Sequence, residues 1–197
     1  MTTIKSLDTR KLVLLALLTA IVVILQLLAS IIPVYPFRLN LVLIPIVIGA
    51  ALITPLAGSW LGLVFGFVVL VSSPDVLPFM TFNPLATTVV ILLRGALAGL
   101  AAGLVYSAIA KYNKIVAVIV AAATCAVTNT GIFILGMYVF FLPVIAEWGV
   151  TGAADIASFI FIGMVGFNFL FEFGVNLIFS PAIVRLIQYG RERKQRL

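Results

Sequence analysis

The chain lacks histidine entirely and has a single cysteine. Without histidine, it has neither the usual general base near neutral pH nor the commonest ligand of transition metals, so we expect no zinc or haem site and no other metal site. Cys125 has no second cysteine with which to form an internal disulfide, and it lies in an apolar run. We therefore interpret Cys125 as a small packing residue.

Charge is also scarce. Only 9% of the 197 residues are charged and 64% are hydrophobic, whereas a soluble domain is about 25% charged. This composition predicts an integral membrane protein with one domain over residues 1–197, whose short basic tails cover about residues 1–11 and 188–197. The net charge of +6 does not indicate nucleic acid, because the basic residues lie at the ends of apolar segments.

Motifs for catalysis are missing as well. The sequence contains no phosphate-binding G-x-x-x-x-G-K-[ST], no H-E-x-x-H and no G-x-S-x-G. We therefore predict that the chain is not an enzyme and has no catalytic residues. A small lipid-modifying membrane enzyme is the alternative from another class, but the inner turns lack the acidic or nucleophilic residues that it needs. A self-sufficient secondary transporter would show internal repeats, and none is evident.

Apolar runs predict six transmembrane helices, since a helix needs about 20 apolar residues to cross a bilayer. The uncharged stretch 39–73 is too long for one span, and prolines and a glycine interrupt it, so we predict two helices with a turn at Thr54 and Pro55. The other predicted helices cover about residues 12–32, 84–110, 115–142 and 156–187.

The basic residues predict how these helices are oriented. With six spans, ten of the twelve Lys and Arg residues lie on the side of both termini, which is the cytoplasmic side by the positive-inside rule. Five spans would place the two basic tails on opposite sides. We therefore predict an all-α bundle of six transmembrane helices with cytoplasmic termini. The longer loops then lie outside, at residues 33–38, 73–82 and 143–155, and favour a binding site that opens outward.

Two charges lie within the predicted spans. A charge at mid-helix costs about 2.5 to 3.5 kcal/mol on insertion scales, so such residues usually face a cavity or each other. Arg94 lies about twelve residues below the outer end of its helix, and Glu172 lies about fifteen residues below the start of the last helix. We predict that they pair or share one polar cavity; a pair would leave that cavity without net charge.

Uncharged polar side chains at compatible depths extend this candidate site. At about 100° per residue, Asn83 and Thr87 share one helix face with Arg94. The other members on the predicted helices are Gln26, Asn129 and Asn168, with Asn168 one turn before Glu172. We predict a ligand pocket lined by these residues, and a buried network that only fixes helix register is the alternative.

The predicted outer loops and the helix ends beside them carry aromatic and apolar side chains. They are Tyr35, Phe37, Phe79, Met80, Phe82, Phe133, Tyr138 and Trp148. Such residues form an interfacial belt, or they close with Arg38 over a small polar organic molecule. Both interpretations are open.

Small residues recur at four-residue spacing on two helices. Gly58, Gly62 and Gly66 predict a ridge for close internal packing. Ala16 and Ala20 predict close helix approach, either within the bundle or to a partner.

Three segments carry a resemblance to a known family. They are L-L-A-L-L-T-A with Ala16 and Ala20, I-T-P-L-A-G-S-W-L-G-L-V-F-G-F over residues 53–67, and F-N-P-L-A-T-T at the start of the fourth helix. In this order within a six-helix chain of this size, they resemble the substrate-binding S component of energy-coupling-factor (ECF) vitamin transporters.

The resemblance implies a function and partners. Such a subunit captures a vitamin from outside and docks on a transmembrane T subunit. Two cytoplasmic ATPase subunits then drive release inward, so the partners use ATP and this chain needs no cofactor. Ala16 and Ala20 correspond to the docking surface, and the location implied is the bacterial plasma membrane.

The sequence leaves more than one cargo open. The sequence is most similar to pantothenate-type S components, and Arg94 or Arg38 suits an anion because arginine grips a carboxylate bidentately. Riboflavin, pyridoxine and hydroxymethylpyrimidine remain alternatives.

Overall fold

The computed structural model describes residues 9–31 and 41–166, together with positions 169, 170, 173, 174, 178 and 185. The elements in this part of the chain are all helical, which confirms the all-α prediction there. The α-helices are α1 Thr9–Ile31, α2 Leu43–Leu52, α3 Pro55–Ser72, α4 Leu77–Phe82, α5 Pro84–Ile109, α6 Lys114–Phe140, α7 Leu142–Glu147 and α8 Ala153–Ser158. A 3-10 turn, Pro74–Val76, precedes α4, and a π-helical segment, Phe159–Gly166, follows α8.

Four of these helices, α1, α3, α5 and α6, are long and apolar enough to cross a membrane. Helix α2 has 10 residues and is shorter than a full span. Most of the sixth predicted helix, residues 156–187, lies outside the described residues. The count of six spans and the orientation of the termini therefore stay predictions.

The starts of three long helices are fixed by local hydrogen bonds. Thr54 Oγ1 accepts a hydrogen bond of 3.1 Å from the Ala57 amide, ahead of a proline at the first position of α3. Asn83 Oδ1 likewise accepts one of 3.1 Å from the Ala86 amide at the start of α5, and Asn113 caps α6. These side chains satisfy amides that have no partner within the helix. The turn predicted at Thr54 and Pro55 is thus confirmed.

Helices α3 and α5 touch backbone to backbone. Gly62 and Gly95 face each other so closely that a methyl group on either would overlap the other's carbonyl. A methyl group on Gly58 would lie 2.6 Å from the carbonyl oxygen of Gly99, and one on Gly66 would lie 2.7 Å from that of Ile91. The glycine ridge predicted from the sequence is confirmed, and it packs on a matching row of α5.

Helix α5 lies between α3 and α6, and the main core forms along these contacts. Leu61 and Phe65 of α3 and Cys125 of α6 are all buried in it, which confirms the packing role of Cys125. Helix α1 lies at the edge, chiefly against α3 and α2. Only 17% of its apolar window is buried, compared with 44% for α3 and α5.

Two of the three predicted outer loops are mainly helical, which corrects the sequence prediction. Residues 74–82 form the 3-10 turn and α4, and residues 142–147 form α7. The reason is that their prolines fall in the first turns of these elements, where a missing N–H costs nothing. Loop 33–38 lies outside the described residues.

Candidate functional site

Arg94 lies in the middle of the bundle, where α3, α5 and α6 meet. Its guanidinium carbon is 5.8 Å from the ring centroid of Phe65 on α3 and 5.4 Å from that of Phe133 on α6. The Nε atom is buried. Aromatic faces attract a cation electrostatically, so the two rings fix the position of the guanidinium between three helices.

Asn129 lies on α6, one helical turn from Phe133, the residue that contacts Arg94. Arg94 is ten residues below the start of α5, and Asn129 is eleven residues below the end of α6, which at 1.5 Å per residue gives about 15 Å and 16 Å. The Asn129 side chain is 5% exposed. Its Oδ1 is buried and accepts no hydrogen bond from the described residues. An unsatisfied buried acceptor costs about 1–3 kcal/mol, so this oxygen is a favourable position for a donor.

Two of the polar residues predicted to share one face of α5, Asn83 and Thr87, form hydrogen bonds within that helix. The Thr87 hydroxyl is buried and donates to the Asn83 carbonyl oxygen at 2.8 Å, so only its oxygen lone pairs remain to accept. Asn83 Oδ1 caps the start of α5. The structure therefore gives Asn83 a structural role beyond the predicted one.

Gln26 lies apart from Arg94, toward the C-terminal ends of α1 and α3. Its Nε2 donates to Ser30 Oγ at 3.2 Å and to Ser73 Oγ at 3.4 Å. Ser72, which also lies in this group, is seven residues from Phe65 along α3, or about 10 Å at 1.5 Å per residue. The structure thus places Arg94 and Asn129 within about one helical turn of each other in depth, and it places Gln26 nearer the C-terminal ends of α1 and α3.

A cavity of about 290 Å³ lies at the corner between α3 and α4. Ser72 and Ser73 line it together with apolar side chains that include Met80. Its volume is at the lower end of the range for small-molecule pockets.

The aromatic side chains of the outer segments divide into two groups. Phe79 packs edge-on against Phe141 at 5.0 Å and against Trp148 at 5.8 Å, which joins α4 to the end of α6 and to α7. Phe133 instead contacts Arg94. Phe82 is 44% exposed.

Four of the predicted ligand-binding residues, Tyr35, Arg38, Asn168 and Glu172, lie outside the described residues, and their roles stay predictions. The predicted docking residues Ala16 and Ala20 are both exposed on α1.

Sequence reasoning missed several residues around these sites. Phe65 carries no polar signal, and its place beside Arg94 depends on how closely the glycines bring α3 to α5. Ser30, Ser72 and Ser73 come from two separate helices. Serines near helix ends are common, so the sequence does not single out these three. They meet only because α1 packs on α3.

The described residues form helices, four of them apolar and of spanning length, with polar side chains such as Asn129 buried among them, and this is the architecture of a multi-pass membrane protein. The model of the family described as "ECF transporter, substrate-specific component" matches residues 10–184, so the chain belongs to this family. It is a family of transporter subunits, not of enzymes, whose members bind small-molecule substrates and work with a T subunit and ATPases. No curated protein and no solved structure matches the chain.

Proposed function

We propose that this chain captures a carboxylate-bearing vitamin, in first place pantothenate, at a site formed around Arg94 and Asn129. The observation that carries the proposal is the buried Oδ1 of Asn129, which has no donor among the described residues and lies one helical turn from Phe133, the residue that contacts Arg94. A ligand that brings an N–H or O–H to this oxygen removes the cost of leaving it unsatisfied. Binding is thereby favoured over the empty site.

The chemistry of Arg94 supports an anionic cargo. A guanidinium donates two parallel hydrogen bonds to a carboxylate, and the rings of Phe65 and Phe133 restrict where it can point. Pantothenate carries a carboxylate for Arg94 and hydroxyl and amide donors for Asn129. Riboflavin, pyridoxine and hydroxymethylpyrimidine supply donors but no carboxylate, so they are the alternatives that the experiment below separates.

Other polar residues complete the proposed site. Thr87 offers a buried acceptor on the same face of α5 as Arg94. The remaining residues that we propose to contact the ligand are Gln26, Asn83, Asn168, Glu172, Tyr35 and Arg38. Among these, Glu172 decides the charge of the site, because pairing with Arg94 would favour a neutral cargo.

The proposed cycle depends on partners. The chain, with six spans and cytoplasmic termini in a bacterial plasma membrane, docks on a T subunit through the exposed face of α1 around Ala16 and Ala20. Two ATPase subunits bound to the T subunit hydrolyse ATP, and this chain carries no cofactor of its own.

Thermal unfolding of the purified protein, measured with each B vitamin in turn, tests the cargo. A ligand that binds only the folded state raises the unfolding temperature, so we expect pantothenate to give the largest rise. A larger rise with riboflavin, pyridoxine or hydroxymethylpyrimidine would replace pantothenate with that cargo. No rise with any vitamin would contradict the proposed function.

A further inference from the structure

Four polar side chains join the outer end of α1 to the outer end of α3. We call Gln26, Ser30, Ser72 and Ser73 the serine node. Ser30 Oγ lies 2.9 Å from Ser72 Oγ and 3.2 Å from Ser73 Oγ. Gln26, which is 6% exposed, donates to Ser30 and to Ser73. The node therefore connects two membrane helices through direct hydrogen bonds.

The node offers more contacts than its atoms can use at once. Ser30 Oγ is within hydrogen-bond distance of four polar atoms, namely Nε2 and the carbonyl oxygen of Gln26 and the hydroxyl oxygens of Ser72 and Ser73. A hydroxyl donates one hydrogen bond and accepts two, so at most three of the four form together. Ser30 thus has alternative partners both within α1 and across to α3.

Each helix also supplies an internal partner when the two helices separate. Ser30 Oγ is 2.9 Å from the Gln26 carbonyl oxygen, and Ser72 Oγ is 2.7 Å from that of Val68. These acceptors belong to the same helix as the donor, so both hydroxyls remain hydrogen-bonded after the contact between α1 and α3 is lost. Gln26 keeps Ser30 as an acceptor in the same way. Opening the node therefore leaves the hydroxyls of Ser30 and Ser72 bonded within their own helices and breaks the contacts of Ser73 Oγ with Gln26 and Ser30.

The rest of the packing makes α1 the helix that is free to shift. Helix α3 is held to α5 by backbone contacts such as Gly62 with Gly95, which leave no room for sliding. Helix α1 buries the smallest share of its apolar window among the four long helices. Beyond the node, Ser73 leads directly into the 3-10 turn and α4, whose Phe79 packs on Phe141. A shift of α1 is thus transmitted through Ser73 to the 3-10 turn and α4.

We propose that the serine node is a reversible latch, closed in the free subunit and opened in each transport cycle as α1 engages the partner. This proposal rests on the proposed transport function and adds a moving part to it. Opening the latch frees the corner between α3 and α4 from α1, while α3, α5 and α6 stay together.

A reversible cross-link between Ser30 and Ser72 tests the latch. The two Oγ atoms are 2.9 Å apart, so thiols at these positions lie within reach of a disulfide. Ser30→Cys and Ser72→Cys are introduced together with Cys125→Ala, which removes the native thiol. Vitamin affinity is measured on the isolated subunit, and ATP-driven uptake is measured in vesicles that contain the complete transporter. The two single-cysteine variants, treated with the same oxidant, are the matched controls.

We expect the oxidised pair to bind the vitamin within about threefold of the Cys125→Ala protein, to lose uptake by at least about tenfold, and to regain it on reduction. Full uptake by quantitatively cross-linked protein would show that the latch never opens and would overturn the proposal. Loss of binding on oxidation would overturn it too, because the contact between Ser30 and Ser72 would then control binding and not a later step of the cycle, and failure of the pair to cross-link would show that the serines are not adjacent. If the Cys125→Ala protein and the wild type bind no vitamin, the proposed function fails instead.

Discussion

The guanidinium of Arg94 lies over the ring of Phe133, with 5.4 Å between the guanidinium carbon and the ring centroid. The contact joins α5 to α6 one turn away from Asn129. A cation and a buried acceptor therefore come from two neighbouring helices, and the ligand that we propose for them carries both a carboxylate and a donor.

Removal of the Arg94 guanidinium is expected to weaken pantothenate binding at least 100-fold. Two hydrogen bonds to a charged group contribute about 1.5–3 kcal/mol each, and 1.4 kcal/mol is a factor of ten. Titration calorimetry on Arg94→Ala measures the change, and Arg94→Lys, which keeps the charge without the planar fork, should lose about tenfold. Lys111→Ala at the exposed turn after α5 is the control and should bind normally. A folded Arg94→Ala protein with wild-type affinity would rule out the proposed role.

Asn129→Leu should separate stability from binding. Since the buried Oδ1 accepts no hydrogen bond from the described residues, an apolar side chain with the same branching at Cγ is expected to keep or raise the unfolding temperature. Affinity should fall about tenfold with the loss of one hydrogen bond. Thr124→Val, which removes a hydroxyl bonded within α6, should leave affinity unchanged. A drop in both stability and affinity would instead assign Asn129 to the packing of the bundle.

Gly62→Ala should destabilise the protein strongly. The added methyl group would overlap the Gly95 backbone, and backbone cannot move aside as a flexible side chain can. Overpacking of this kind costs about 1–3 kcal/mol or more. Gly131→Ala is the matched control, because a methyl group there meets nothing within 4 Å and alanine favours the helix. Unfolding temperatures measured in detergent should fall for the first variant only; equal values would mean that α3 and α5 are not in backbone contact.

Bulky side chains on the exposed face of α1 should stop transport and spare binding. Ala16→Trp and Ala20→Trp leave the interior of the bundle unchanged, because both positions are exposed, but they prevent another helix from approaching closely. Leu135→Trp on α6, at a side chain that is 63% exposed, controls for bulk alone. Vitamin affinity and ATP-driven uptake are compared for the three proteins. If the α1 variants support normal uptake, the partner docks elsewhere.

Asn83 can be tested as a cap and as a ligand-binding residue in one series. Asn83→Ala removes the acceptor for the Ala86 amide and is expected to cost about 1 kcal/mol of stability. Asn83→Asp keeps that acceptor and should restore the unfolding temperature, although it has lost the amide donor. Normal affinity in Asn83→Asp would limit the residue to its capping role, whereas a folded protein with reduced affinity would support contact with the ligand.

Local chemistry explains why the helices were predictable. The Pro84 start of α5 is as predicted, and the end of α5 lies within one residue of the prediction, because a cap followed by a proline fixes a helix start and because apolar length fixes a span. The segments 73–82 and 143–155 were predicted as loops because they lie between the apolar runs long enough to span a membrane. Both segments contain prolines. Whether a proline falls within the first turn of a helix, where it is tolerated, depends on where each element begins.

The sequence by itself determined that the chain is a helical membrane protein, that Gly58, Gly62 and Gly66 form a packing ridge, and that Arg94 and Asn129 lie at similar depths. These are consequences of composition, helical period and distance along one segment. Only the tertiary structure decided that Phe65 and Phe133 hold Arg94 and that Gln26 belongs with three serines, away from Arg94. Such contacts join different helices. Which side chains meet depends on how each helix is rotated about its axis and on how closely the backbones approach, and no single segment specifies either.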